Sequence, residues 1–303
     1  MPDFTCQVET SIPVGLRLDR YLAEYLKILS RSQIKARRLR ALLDGRAVKL
    51  SRPLKGGENL ELSWTEAENI FLVPQDLPLD LLYEDERVVV VNKAQGMVVH
   101  PGAGNREGTL ANALLFRQLN RKGALDGGGL RPGIVHRLDK DTSGVMIAAW
   151  DDEAHAFLSA QFKARKVRKT YAALVQGSPG ETRGRIDRNI VRSRRNRKLF
   201  TVSDKDTGRR SLTFFKLVKS YGKYSLLLVR PRTGRTHQIR VHLKYLGNPI
   251  LGDPLYGRPD PLFPRASLML HSKSLGLVLP GNEKPVFFRT PLPLRFREII
   301  RQL

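Results

Sequence analysis

Apolar residues recur at a helical spacing in a short first part of the chain. In a longer second part they form mainly runs and alternating patterns. In the first part, Leu18, Leu22 and Leu26 recur at every fourth position, which predicts an amphipathic helix. A second helix is predicted over residues 30–44, and two short β segments follow it. These elements together predict a small α/β domain. The second helix carries the basic residues Arg31, Lys35, Arg37, Arg38 and Arg40.

In the second part, apolar runs and alternating patterns predict strands with a few helices between them. Strands are predicted at 81–85, 88–91, 145–150, 166–177, 211–220, 224–230 and in the closing segment 267–289. Helices are predicted at 109–119, 152–165, from about 235 to 242 and at 294–303. A glycine-rich stretch at 121–133 is expected to form a surface loop. The fold class expected for the chain is α+β, with a mixed, largely antiparallel sheet in the second part.

Between the two parts, residues 66–78 have the composition of a linker, polar at first and then interrupted by prolines. The predicted organisation is therefore a first domain at 14–65, a linker at 66–78 and a second domain at 79–303. The second domain is long enough to bury a substantial core.

The charge balance indicates the kind of partner. Lys and Arg number 53 against 29 Asp and Glu, which gives a formal net charge of +24. This excess favours a polyanion, and RNA or DNA fits better than a membrane because no basic amphipathic segment stands out. A single cysteine, Cys6, excludes internal disulfides and is typical of a reducing cytoplasm. With no apolar run of membrane-spanning length and no signal peptide at the start, a cytoplasmic protein is expected.

Ionisable residues are concentrated in one short stretch, HRLDKDTSG at 136–144, between two apolar runs. At its centre, Asp139 lies between Arg137 and Lys140, and nearby cations favour the ionised carboxylate. Asp139 is therefore a candidate nucleophile. For a lone aspartate, capping a turn and pairing with its neighbours would be the commoner role.

HRLDKDTSG resembles the signature of the RluA/RluD-type RNA pseudouridine synthases. The resemblance implies that the protein isomerises uridine in RNA, with Asp139 as the nucleophile. It further implies that Tyr171, in KTYAALV, stacks on the target base, and that Arg240, in QIR, pairs with the catalytic carboxylate. Arg137 matches the arginine thought to fill the space of the flipped base, and Leu270 matches an apolar residue of the uracil pocket.

The remaining expectations concern RNA contacts. Arg235 is a second candidate for the partner of the carboxylate, but a phosphate contact is favoured. The pattern LRLDRYL…LSRSQI…GGENLEL resembles an S-four-type RNA-binding domain, which makes Arg31, Lys35 and Arg38 candidate RNA contacts. This module and the catalytic motifs together imply large-subunit ribosomal RNA or a pre-ribosomal particle as partner. The protein is expected to act as a monomer.

Neither a metal nor a cofactor is expected. The six histidines and one cysteine show no zinc-binding spacing, and there is no Walker or Rossmann glycine pattern. His237 and His242 could be ligands in principle, but core or RNA contacts are favoured for both. Two alternatives remain: a non-catalytic RNA-binding ribosome-assembly factor on a synthase fold, and an aspartate-nucleophile glycosidase or phosphatase. The second lacks a paired acid at a plausible spacing or a metal site.

Overall fold

The structure is a computed structural model that describes residues 3–29, 34, 39–64, 72–102, 104–121, 133–193, 195–197, 199–203, 205 and 207–303. The chain folds as two compact units, Met1–Phe71 and Leu72–Leu303. None of the helices within the described ranges has both the length and the apolar composition that crossing a membrane requires.

The first unit contains a four-stranded antiparallel sheet and a short helix. Its elements are β1 (Asp3–Gln7), α1 (Leu18–Arg20) with a following π-helical turn (Tyr21–Tyr25), β2 (Arg40–Leu43), β3 (Arg46–Val48) and β4 (Asn59–Ser63). The strands lie in the order β1-β4-β2-β3. Leu18 and Leu22 are buried in the core of this unit, which confirms the predicted amphipathic helix.

The prediction of a helix as far as residue 44 is wrong for its last part, because β2 occupies Arg40–Leu43. Ala41 and Leu43 are buried and alternate with more exposed neighbours, which is the period of a strand. Asp44 and Gly45 then both adopt positive φ, 49° and 71°, and connect β2 to β3. Asp-Gly is a sequence signal for this kind of two-residue hairpin turn, so Gly45 turns a hairpin and does not end a helix.

Three of the predicted RNA contacts, Arg31, Lys35 and Arg38, lie outside the described residues, as does most of the glycine-rich stretch 121–133. The predicted linker 66–78 is described only from Leu72 onward, where it belongs to the second unit. There, the Asn112 side chain donates to the Val73 carbonyl oxygen at 2.7 Å. The domain limits 14–65 and 79–303 stay a prediction.

The second unit is built on one large sheet. Its strands are β5 (Leu81–Glu84), β6 (Val88–Lys93), β7 (Gly133–Ile134), β8 (Ser143–Ala149), β9 (Arg168–Gln176), β10 (Arg183–Asp187), β13 (Leu212–Ser220), β14 (Tyr224–Pro231), β15 (Leu270–Val278) and β16 (Pro285–Arg289). A separate hairpin consists of β11 (Ile190–Arg192) and β12 (Phe200–Val202). The helices are α2 (Leu110–Leu119), α3 (Asp152–Lys163), α4 (Gln238–Tyr245) and α5 (Leu294–Gln302).

The main path of the large sheet runs β10-β13-β14-β9-β15-β8-β6-β5, with β16 on β15 and β7 on β8. Every pair is antiparallel except β15–β8, which is parallel. The predicted α+β class with a mixed, largely antiparallel sheet is therefore confirmed. Hydrophobic side chains are buried on both faces of the sheet, and they form two separate clusters.

The parallel pair brings β8 and β15 very close at Gly144. This glycine has a φ of 118°, and a Cβ atom there would lie 2.2 Å from the Ser272 carbonyl oxygen. Any side chain would therefore force the two strands apart, in a conformation that glycine alone adopts readily. The glycine at the end of HRLDKDTSG is thus required by the packing of the strand that follows the turn.

One helix prediction needs correction. The helix expected from about residue 235 begins at Gln238, because His237 adopts a left-handed conformation with a φ of 55°. Arg235 therefore precedes α4. In α3, Leu158 is buried, whereas the neighbouring Phe157 is 40% exposed.

Two buried histidines make the free energy of unfolding depend on pH in the acidic range. Burial lowers the pKa of His242 and of His271 to about 4, whereas an unfolded histidine titrates near 6.5. As the pH falls from 6.5 to about 4, the unfolded chain takes up protons that the folded chain does not. The contribution of each histidine to the free energy of unfolding is therefore complete above pH 6.5. It decreases by about 1.4 kcal/mol per pH unit as the pH falls from 6.5 to about 4.

We therefore expect His271→Gln to reduce the pH dependence of the free energy of unfolding by about 1.4 kcal/mol per pH unit between pH 6 and 5. Glutamine can still accept from the Ser143 hydroxyl, which lies 2.8 Å from His271 Nδ1. Urea unfolding at a series of pH values measures the slope. An unchanged slope would show that His271 does not contribute to the acid sensitivity.

Candidate active site

Asp139 lies on the turn between β7 and β8, at the edge of the sheet's central parallel pair. The turn is held by its backbone: Thr142 N donates to Asp139 O at 3.1 Å. The preceding His136 is an anchor, because its Nε2 accepts from Ile147 N at 3.1 Å and its ring stacks on Phe162. Burial lowers the pKa of His136 to about 3, which keeps it neutral and structural.

A second turn, which follows β6, is hydrogen-bonded to the turn that carries Asp139. Lys93, only 1% exposed, donates from Nζ to the carbonyl oxygens of Ala94, Met97 and Lys140 at 2.8, 2.8 and 3.1 Å. Burial lowers its pKa to about 8, although the nearby carboxylates oppose this shift. Gln95 donates to the Asp141 carbonyl oxygen at 2.9 Å. The buried ammonium therefore stabilises the backbone on which the candidate nucleophile is carried.

Adjacent strands bring the other predicted residues to Asp139. Tyr171 on β9 pairs in register with Ser272 on β15, and Leu270 begins β15. Because β15 lies between β9 and β8, these side chains and the turn before β8 meet at one edge of the sheet. Burial and then the charge of Asp139 raise the pKa of Tyr171, so it is a neutral phenol over the physiological pH range.

Arg240, on α4, is the cation nearest to Asp139, with its Nη1 3.5 Å from Asp139 Oδ2. Its other two nitrogens bind Asp253: Nε donates to Oδ2 at 2.8 Å and Nη2 to Oδ1 at 2.6 Å. Asp253 also accepts from the backbone nitrogens of Leu255 and Tyr256 at 2.9 and 3.0 Å. A fully hydrogen-bonded carboxylate thus fixes the guanidinium and presents its remaining edge to Asp139.

A cavity of about 470 Å³ opens over Asp139. Six of the predicted residues line it: Arg137, Asp139, Tyr171, Arg235, Arg240 and Leu270. Further cations on its wall are Lys163, Arg165, Lys169 and Arg232. A single carboxylate among so many cations suits a polyanionic substrate.

Several residues of the site were not singled out from the sequence. Lys93 ends the strand VVVVNK, and lysine is rarely buried, so nothing in the sequence indicated a buried ammonium there. Asp253 and Tyr256 fall in LGDPLYG, more than a hundred residues after Asp139, and no spacing connects them to it. For His237 the sequence favoured a core or RNA contact over a metal ligand, and it did not indicate a position beside Asp139. In the described part of the chain, no three His, Cys, Asp or Glu side chains are grouped so that they could hold a metal ion.

Comparisons with known proteins identify the family of the chain. A family model described as RNA pseudouridylate synthase matches residues 87–245. The ribosomal large subunit pseudouridine synthase D of Borreliella burgdorferi is 42% identical over 288 residues, which cover 93% of this chain and 88% of the relative. The protein of the same name from Zymomonas mobilis is 37% identical over 308 residues, with 96% and 94% covered.

A solved structure shows the same fold. The human RNA pseudouridylate synthase domain containing 1 superposes with a TM-score of 0.58 at 28% identity, over 72% of this chain and 84% of that one. The family model spans the β6–α4 region, which carries Asp139, Tyr171 and Arg240. The chain therefore belongs to the RNA pseudouridylate synthase family and is an RNA pseudouridine synthase of the RluA/RluD type.

Proposed function

We propose that this protein converts specific uridines of large-subunit ribosomal RNA to pseudouridine, with Asp139 as the catalytic carboxylate. The observation that carries the proposal is the position of Asp139 on the wall of the cationic cavity, 3.5 Å from an arginine that Asp253 immobilises. The names of two relatives, both large-subunit pseudouridine synthases, support the choice of RNA.

The reaction exchanges one bond of the nucleoside for another. The bond between N1 and C1′ breaks, the uracil turns, and a bond between C5 and C1′ forms. The C5 proton is released to water and N1 takes up a proton, so that the product is an isomer of uridine. Asp139 acts on the bound nucleoside as the nucleophile. Arg240 keeps this carboxylate oriented, because its guanidinium cannot rotate without breaking both hydrogen bonds to Asp253.

Tyr171 and Leu270 provide the apolar contacts to the uracil. Both are buried and both line the cavity. Since Tyr171 keeps its proton, it stacks on the base as a neutral ring and is poorly suited to act as a phenolate base. A base can reach this depth only after it has left its stack, and Arg137, exposed at the rim, is placed to fill the space it leaves.

The first unit is proposed as an S-four-type RNA-binding domain, with Arg31, Lys35 and Arg38 as its RNA contacts. The basic residues of that segment contribute affinity that does not depend on the reacting base. Arg235, on the wall of the catalytic cavity, is proposed as a further phosphate contact. The protein is proposed to act as a monomer in the cytoplasm, where ribosomal RNA is available as a substrate.

Replacing Arg31, Lys35 and Arg38 by alanine should weaken RNA binding and make it less sensitive to salt. The slope of log affinity against log salt should fall by about 0.7–0.9 for each phosphate that is no longer neutralised. Binding titrations at several salt concentrations measure this slope. A control that removes three exposed cations elsewhere, Lys284, Arg289 and Arg297, should change it less. Equal slopes for the two triple variants would contradict the assignment of this segment to RNA.

Mapping of pseudouridine in ribosomal RNA tests the proposed function directly. Cells without this gene should lack one or more pseudouridines of the large subunit, and the purified protein should restore them on unmodified RNA. The alternative, a non-catalytic assembly factor, predicts an unchanged pattern and full rescue of growth by Asp139→Asn. Unchanged large-subunit RNA with a loss in another RNA would overturn the proposed target but not the activity.

A further inference from the structure

His237, at the candidate active site, has an uncommon backbone conformation. His237 immediately precedes α4 and has a φ of 55°, a left-handed conformation uncommon for residues other than glycine. This conformation places the imidazole between Tyr256 and Asp139. Nδ1 lies 2.8 Å from the Tyr256 hydroxyl, and Nε2 lies 3.9 Å from Asp139 Oδ2. The ring therefore bridges a buried phenol and the catalytic carboxylate.

The hydrogen bonds of Tyr256 determine which nitrogen of His237 carries the proton. The Tyr256 hydroxyl accepts from Phe200 N at 2.9 Å, and the residue is only 4% exposed. Its single hydrogen needs an acceptor, and among the described residues His237 Nδ1 is the one within hydrogen-bonding distance. Nδ1 is therefore unprotonated. Burial also lowers the pKa of His237, so the neutral ring carries its proton on Nε2.

This tautomer directs an N–H group at one particular oxygen of Asp139. Nε2 of His237 and Nη1 of Arg240 both face Oδ2, at 3.9 and 3.5 Å. In the part of the chain that the structure describes, no donor reaches Oδ1. Hydrogen bonds at catalytic sites without substrate are often long and shorten when the substrate binds. Two donors on one oxygen would fix the plane of the carboxylate and leave the other oxygen to react.

We propose that His237 is a positioning residue of this synthase: its Nε2–H group donates to Asp139 Oδ2 and orients the carboxylate for attack through Oδ1. The inference rests on the proposed catalytic role of Asp139. It also connects the β11–β12 hairpin to the site. The amide of Phe200 on β12 donates to the Tyr256 hydroxyl oxygen, so the hydroxyl hydrogen is directed to His237 and sets the tautomer of that histidine. The Phe200 ring also packs edge-on against the imidazole, with centroids 5.8 Å apart.

Two substitutions at His237 separate its two interactions. Asparagine tolerates a positive φ and can place its amide near Nδ1, so His237→Asn keeps the hydrogen bond with Tyr256 and removes the donor to Asp139. Glutamine can place an N–H group near the position of Nε2. At saturating RNA, we expect the single-turnover rate to fall about 10- to 100-fold in His237→Asn and to recover most of the way in His237→Gln. RNA affinity should stay within about twofold in both, because neither change removes a phosphate-binding group.

Tyr256→Phe tests the tautomer without touching His237. Without the phenolic hydrogen, the proton can move to Nδ1, so the rate should fall in the wild-type background and fall no further in His237→Asn. If the role of Tyr256 were purely structural, Tyr256→Phe would lower the free energy of unfolding in both the wild-type and the His237→Asn backgrounds. Tyr83→Phe is the matched control, since Tyr83 bonds to Asp85 on the remote β5 edge of the sheet, and it should retain the wild-type rate.

Nitrogen-15 NMR of labelled histidine reads the tautomer in the absence of RNA. The wild-type protein should show His237 with its proton on Nε2, and Tyr256→Phe should show a mixture. A wild-type Nδ1–H tautomer, or a wild-type rate for His237→Asn, would overturn the inference. If the wild-type protein forms no pseudouridine in any RNA, the proposed function fails, and the NMR result alone then shows whether Tyr256 sets the tautomer.

Discussion

Asp139→Asn should abolish the formation of pseudouridine while leaving RNA affinity within a few-fold of wild type. Asparagine has nearly the same size, but its amide is not a nucleophile, and enzymes that lose their nucleophile can slow by about 10⁴-fold or more. The fold should be unaffected, because Arg240 remains paired with Asp253 and the turn is held through the backbone of Asp139 and not its carboxylate.

Tritium release from RNA labelled at C5 of uridine measures the reaction, and titration with the same RNA measures binding. Asp141→Asn is the matched control, since Asp141 lies two residues further along the same turn but does not line the cavity. It should keep activity within a few-fold of wild type. Turnover by Asp139→Asn at the level of this control would show that the carboxylate has been assigned wrongly.

Arg240→Lys should slow turnover by about 10²-fold, although the charge is conserved. Arginine uses two nitrogens to bind Asp253 and directs a third at Asp139, whereas a lysine has one nitrogen and cannot bind both carboxylates in this way. A misplacement of about 1 Å at a reacting group can cost this much in rate. The buried Asp253 would also lose part of its pairing, so the free energy of unfolding should fall by about 1.5–3 kcal/mol.

Single-turnover rates at saturating RNA and urea unfolding measure the two effects. Arg235→Lys is the comparison, because Arg235 lines the same cavity but its guanidinium donates only to the Arg210 carbonyl oxygen among the described residues, at 3.4 Å. Its effect should appear in RNA binding and not in the rate. If Arg235→Lys is the slow variant and Arg240→Lys is not, the partner of Asp139 has been assigned to the wrong arginine.

The parts of the site that local sequence determines could be predicted. Asp139 and its flanking cations lie within a few residues of one another, and apolar runs correctly predicted the strands that carry Tyr171 and Leu270. In the first unit, the prediction failed at Arg40–Leu43, because a run of basic and apolar residues suits either a helix or a strand. Only the Asp-Gly turn distinguishes the two.

The residues that fix the geometry of the site could not be predicted, because long-range interactions bring them together. Asp253 and Tyr256 act on Asp139 through Arg240 and His237, across more than a hundred residues of chain. The left-handed backbone at His237 also contradicts its helix-like sequence context, and tertiary interactions override local preference there. Strain of this kind is concentrated at functional sites, which fits its position beside the carboxylate.

The single parallel pair of the sheet has a consequence for how the protein is made. The turn that carries Asp139 leads directly into β8, and β8 is flanked on one side by β15, which begins at Leu270. About 130 residues must leave the ribosome after Asp139 before this strand can pair, and such non-local pairing is slow. A nascent chain ending before residue 270 would contain Asp139 but lack the strand that pairs with β8. Catalytic competence is therefore one of the last properties that this polypeptide acquires during its synthesis.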